Sequence, residues 1–110
     1  MSNRGPAFVV LYRWRIHPNH ESSFIEAWSR ITELLRSAGG SFGSRLHRGS
    51  DGIWYGYAQW PDDEIRQRAF SLSLDPAASA QMRAAVAESL PEVVLESVSD
   101  FLFLPNEPSA

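Results

Sequence analysis

Residues 7 to 16, AFVVLYRWRI, carry large apolar side chains at odd and even positions alike. The run is β-branched and aromatic, which predicts a strand. Alternation puts Phe8, Val10, Tyr12, Trp14 and Ile16 on one side of it and Val9, Leu11, Arg13 and Arg15 on the other. A strand that is apolar on both sides must be covered on both sides. The chain is therefore constrained to a sheet with one layer against each face.

The next segments supply one of those layers. From about His20 the spacing Phe24, Ala27, Trp28, Ile31, Leu34, Leu35, Ala38 is that of an amphipathic helix, with Asn19 as N-cap, Glu21 in the first turn and Gly39-Gly40 as the stop. Residues 42 to 48 and 53 to 60 read as two strands joined by a hairpin turn at 49 to 52. Asp62 caps a second helical region whose apolar edge is Ile65, Ala69 and Phe70. Asp75-Pro76 restarts that region over 76 to 89, and Pro91 ends it. Residues 92 to 104 complete the chain as a fourth strand. The order β-α-β-β-α-β predicts an α+β, ferredoxin-like fold: a four-stranded antiparallel sheet with both helical regions on one face.

This topology makes the first and fourth strands neighbours. Pairing Tyr12 with Phe101 and Val10 with Phe103 sets Arg13 opposite Asp100, and Glu96 is the expected partner of Arg15. With the helices over the even-numbered side, Val9, Leu11, Val98, Leu102 and Leu104 are left on the open face. A patch of that extent predicts a homodimer packed sheet to sheet.

Composition narrows the chemistry. The chain of 110 residues suits one domain, expected over 7 to 104, with flexible ends at 1 to 6 and 105 to 110. It has no cysteine, and all ten basic side chains are arginine. Thiolate, Fe–S, Schiff-base and phosphate-loop lysine chemistries are thereby excluded. A net charge of −3 argues against nucleic acid as a partner. The longest apolar run, 7 to 12, falls short of the roughly 20 residues of a membrane span. With no signal-peptide core near the N-terminus, a cytoplasmic protein is expected.

Taken together, residues 12 to 18 (YRWRIHP), Glu21, Phe24 and Trp28, then 43 to 48 (GSRLHR), Asp51-Gly52 and 57 to 61 (YAQWP) resemble the antibiotic biosynthesis monooxygenase family over most of the chain. The resemblance implies a dimeric α+β barrel with a pocket between sheet and helices in each subunit. It implies oxygenation of a quinol or aromatic phenol by O₂ with no metal or flavin cofactor. The alternatives it carries are a non-catalytic dimeric ligand-binding or stress-associated domain and, less favoured, a haem-binding or haem-degrading protein. The family's characterised enzymes use an asparagine on the first strand, which is absent here because Asn3, Asn19 and Asn106 lie elsewhere. No histidine lies in 61 to 90, where a haem ligand belongs.

A cofactor-free oxygenase needs a stabilised phenolate and a dry aromatic pocket. His47, between two arginines, is the candidate acid/base, and Arg45, on the same strand face, the candidate anion partner. A fringe histidine and a structural ion pair are the competing readings. Tyr12, Trp14, Trp54, Tyr55, Tyr57 and Trp60 are the candidate substrate-binding residues, with Gly56 leaving room for a ligand or a neighbouring helix. Trp28 reads as packing. Asp62, Asp63 and Glu64 complement the helix dipole. His17, His20 and Glu21 lack the spacing of a metal site, and no metal is expected.

Overall fold

The computed structural model describes residues 8–101. Its elements are β1 (Phe8–Ile16), a 3₁₀ turn (Pro18–His20), α1 (Glu21–Ser37), β2 (Gly43–Arg48), β3 (Trp54–Trp60), α2 (Asp63–Ser71), α3 (Pro76–Ala85) and β4 (Val86–Glu96). The strands form one antiparallel sheet in the order β2-β3-β1-β4. The helices cover one face of it, as the ferredoxin-like order predicts.

The even-numbered side of β1 faces the helices. Val10, Ala58 and Trp60 pack with Leu35 of α1 and Ala69 of α2. Trp54 and Phe24 pack with Ala85 of α3, flanked by Trp14, Trp28 and Met82. Asp62 accepts a hydrogen bond from the Ile65 amide at 2.8 Å, and Asp75 accepts one from Ala78 at 2.9 Å. Both expected caps are therefore made. The cap expected at Asn19 is not: residues Pro18–His20 are spent on the 3₁₀ turn, and His20 stands at the start of α1 without a side-chain cap. At the other end the chain reverses through Gly40 at φ +86°, a conformation that favours glycine.

The last third of the chain departs from expectation. α3 stops at Ala85, and 86 to 89 belong to β4 because Trp14, Arg15 and Ile16 take Ser89, Glu88 and Val86 as partners. Pairing along β1 outweighs the helix propensity of the alanine-rich stretch. Pro91 lies inside the strand and does not end a helix. β4 is an edge strand, and its register shifts between Leu11 and Arg13, two circumstances in which a strand accepts proline. The freed Pro91 carbonyl accepts from Arg13 Nη2 at 2.8 Å and Nε at 3.2 Å.

The register expected for the fourth strand is accordingly wrong. Val10 faces Val94 and Leu11 faces Val93, while Phe101 is 90% exposed and lies in no strand. Arg15 pairs with Glu88 at 3.2 Å, where Glu96 was expected. Leu102, Phe103, Leu104 and the two expected flexible ends fall outside the described residues. No helix among those described is long and apolar enough to cross a membrane.

Candidate functional site

The sheet divides the residues singled out in the sequence into two groups. Tyr12, Trp14, Trp54 and Trp60 lie on the helix-covered face. Arg45 and His47 sit opposite Tyr57 and Tyr55 in the β2/β3 ladder, and all four share the open face. Tyr55 donates its hydroxyl proton to Asp51 at 2.5 Å, which ties it to the hairpin. That hydrogen bond holds the Tyr55 phenol above its ordinary value and the Asp51 carboxyl below its own.

On the covered face, Tyr12 is the centre of a small polar group inside an aromatic wall. The Trp14 ring stacks on it at 6.1 Å and 17°, and Phe70 of α2 meets it edge-on at 6.3 Å. Arg66 of α2 donates from Nη1 to the Tyr12 hydroxyl oxygen at 3.3 Å. The guanidinium is held further by Asp63 at 2.9 Å and Glu92 of β4 at 3.2 Å, and it stands 5.6 Å over the Phe8 ring. Two carboxylates offset what it costs to bury this cation. Burial works against its charge, yet the hydrogen bonds it donates to Tyr12 and Asp63 prevail and push the guanidinium further toward its protonated form.

Burial also raises the Tyr12 phenol above its ordinary value, opposed by the hydrogen bond and charge of Arg66. Tyr12 is thus a proton-bearing donor at neutral pH. Trp60, only 1% exposed, brings its indole N–H toward the same oxygen, but Nε1 closes no hydrogen bond. A buried donor without a partner is costly, and this one is directed at the Tyr12 oxygen. Around Tyr12 there are therefore an O–H donor, a spare indole N–H and a fixed cation in apolar surroundings. Such a set suits an oxygen that acquires negative charge.

Gly56 does not leave room for a ligand. A Cβ there would stand 2.9 Å from the Trp14 ring, so the indole already fills the space. Arg66 and Glu92 were missed in the sequence. The available signal was that Arg66 shares a helix stripe with Ala69 and Phe70 at i+3 and i+4, which aims it inward.

A concavity lies along the free edge of β2, beneath α1. It measures about 500 Å³, and Trp28, Ser29, Arg45, His47, Arg48 and Trp54 are among its lining residues. The Arg48 guanidinium stands 4.7 Å over the Trp54 ring and pairs with Glu21 at 3.2 Å. The whole strand edge 44 to 48 borders this groove, so Arg45 and His47 meet it only along that edge, their register placing them on the open face while Trp54 is on the covered one. Trp28, expected as packing, both packs on the core and lines this groove. His17 and His20 stand 5.6 Å apart, ring to ring, and no group of three or more metal-ligating side chains gathers among the described residues.

No family profile matches the sequence, and no curated protein is similar to it. Solved structures share its fold. A protein from Caulobacter crescentus assigned provisionally to the antibiotic biosynthesis monooxygenases superposes with a TM-score of 0.73 at 14% identity, covering 86% of this chain and 92% of that one. A Mycobacterium tuberculosis protein gives 0.70 at 14% identity, covering 87% and 98%. A variant of SnoaB, a cofactor-independent oxygenase from Streptomyces nogalater, gives 0.67 at 18% identity, covering 90% and 97%. At these identities the likeness is one of fold.

Proposed function

We propose that this chain is a small-molecule oxygenase that works without a cofactor on a quinol or aromatic phenol, with Tyr12, Trp60 and Arg66 at its centre. The observation that carries the reading is the buried, unpartnered indole N–H of Trp60 beside the Tyr12 hydroxyl. In the reaction, the substrate phenol leaves its proton to solvent as it binds, the electron-rich ring adds O₂ at carbon, and the peroxide takes one proton back. The resulting hydroperoxide loses water to leave a quinone. Negative charge develops first on the substrate oxygen, where Trp60 and Tyr12 act as donors. Arg66 is a positioning residue, because its charge is already shared by Asp63 and Glu92. The Trp14 and Phe70 rings exclude water from the oxygenated intermediate. Likeness of fold to SnoaB supports the class of reaction and leaves the substrate unnamed.

The working unit in this reading is a dimer of the chain. On the open face Leu11 lies beside Val93, which is 39% exposed, and Leu95 is 36% exposed; Val9, expected on that surface, is already buried within the single chain. The β2 half, carrying Arg45 and His47, is polar and forms the rim.

The test is oxygen uptake with a panel of hydroquinones and naphthols. Turnover by the wild type that falls about 100-fold in Trp60→Phe is expected. No uptake with any substrate, or uptake unchanged in Trp60→Phe, overturns the reading. A non-catalytic binding domain is the second reading, favoured by Trp14 filling the space over Gly56. It predicts ligand binding with no oxygen consumed.

A further inference from the structure

We propose that the segment after β4 is an arm, and that the free edge of β2 in a second copy of this chain receives it. The proposal rests on the dimer reading above and adds what each copy supplies to the other. Val98 and Phe101 are the most exposed large apolar side chains among the described residues, at 87% and 90%. Neither lies in a strand, and the sequence runs on through Leu102, Phe103 and Leu104 to Pro105. An apolar, β-prone run left uncovered by its own chain is the kind of segment that pairs with an open sheet edge.

The two edges of the sheet, β2 and β4, differ in what they can accept. β4 is blunted, because Pro91 has no N–H to offer and the register against β1 shifts twice. β2 pairs with β3 without interruption over Gly43–Arg48 and contains no proline, so its outer edge can take a further strand. Beside that edge the groove of about 500 Å³ offers the apolar surfaces of Trp28, Leu46 and Trp54, with Ile25 exposed at its lip. Phe42, also exposed, stands in the recess that continues the groove past Trp28. Period two fixes what each side of the arm meets. With Phe101 and Phe103 turned to the indoles, Leu102 and Leu104 fall on the open face, among the apolar side chains that the dimer covers. Asp100 falls on that same side, where β2 of the receiving copy presents Arg45 and His47.

The donor is the other copy. β4 ends at Glu96, opposite Phe8, and its own β2 lies three strand spacings away, roughly 14 Å across the sheet. Within its own chain Phe101 stays exposed and is no part of the groove wall. A two-fold pair exchanges two arms for two grooves, so each groove is complete only with the partner's arm in it.

The test is isotope-filtered NMR on the full chain, with ¹³C-labelled and unlabelled copies mixed by subunit exchange, beside sedimentation equilibrium. Contacts are expected from the Phe101 and Phe103 rings of one copy to the Trp28 and Trp54 indoles of the other. Phe101→Ser combined with Phe103→Ser is expected to weaken the dimer at least about 100-fold. A dimer without those contacts, or one whose dissociation constant the double variant leaves unchanged, overturns the arm and leaves the sheet-to-sheet pair standing. Contacts confined to a single copy also overturn it and assign the arm to its own groove. A wild type that sediments as a monomer removes both the arm and the dimer reading.

Discussion

Arg66 concentrates the residue-scale energetics of the interior, because one guanidinium ties α2 to β1 through Tyr12 and to β4 through Glu92. Its side chain is 9% exposed, while its two carboxylate partners are about half exposed. Arg66→Met is therefore expected to destabilise by about 2 kcal/mol, below the full cost of breaking a deeply buried pair. The check is urea unfolding. Arg66→Lys, which keeps the charge and loses the fork, recovers only part of that stability. Tyr12 adds a pH signature. Its phenol is raised above the ordinary 10.0 by burial, so the folded chain keeps a proton that the unfolded chain sheds first. The stabilisation is fully present below about pH 10 and is lost as pH rises through the folded value. Between pH 9 and 11 the wild type should lose more stability than Tyr12→Phe, and parallel decline would contradict this. Gly56→Ala, which forces a Cβ against the Trp14 ring at 2.9 Å, is expected to cost about 1–3 kcal/mol.

At the scale of elements, β4 carries the most distinctive expectation. Pro91 sits at a register shift on an edge strand, so Pro91→Ala is expected to change stability by less than about 1 kcal/mol, with the carbonyl that Arg13 grips left in place. A larger loss in urea unfolding would mean that the proline ring itself holds the bend. The same strand explains what was readable in the sequence. β1, α1 and the β2/β3 hairpin announce themselves through strict period-two or 3.6-residue patterns and through Gly52, which adopts φ +84° in the turn. The boundary between α3 and β4 does not, because Ala87, Glu88 and Ser89 suit a helix locally and become strand only by lying along Trp14 and Arg15. The candidate site was half readable for a similar reason. Aromatic residues on β1 and β3 declare their face by parity, whereas Arg66 looks like a solvent arginine until α2 is laid against Glu92 from 26 residues away.

Over the whole molecule the open face sets the expected assembly. Leu11, Val93 and Leu95 lie close together across β1 and β4, and Val93→Arg on that surface is expected to convert a dimer into a monomer in sedimentation velocity. A wild type that sediments as a monomer at micromolar concentration would remove the dimer from the proposal. The passage from Ala85 to Val86 has a mechanical consequence of its own. α3 runs into β4 with no intervening residue, and the His17 amide grips the Ala85 carbonyl at 3.0 Å just there. That joint has no slack, so α3 and the sheet behave as a rigid frame. α2, capped by Asp62, is fastened to that frame by Ala69 in the core and by the Arg66 pairs to Tyr12 and Glu92. Phe70, which meets the Tyr12 ring edge-on, is thereby held in place by the same fastening.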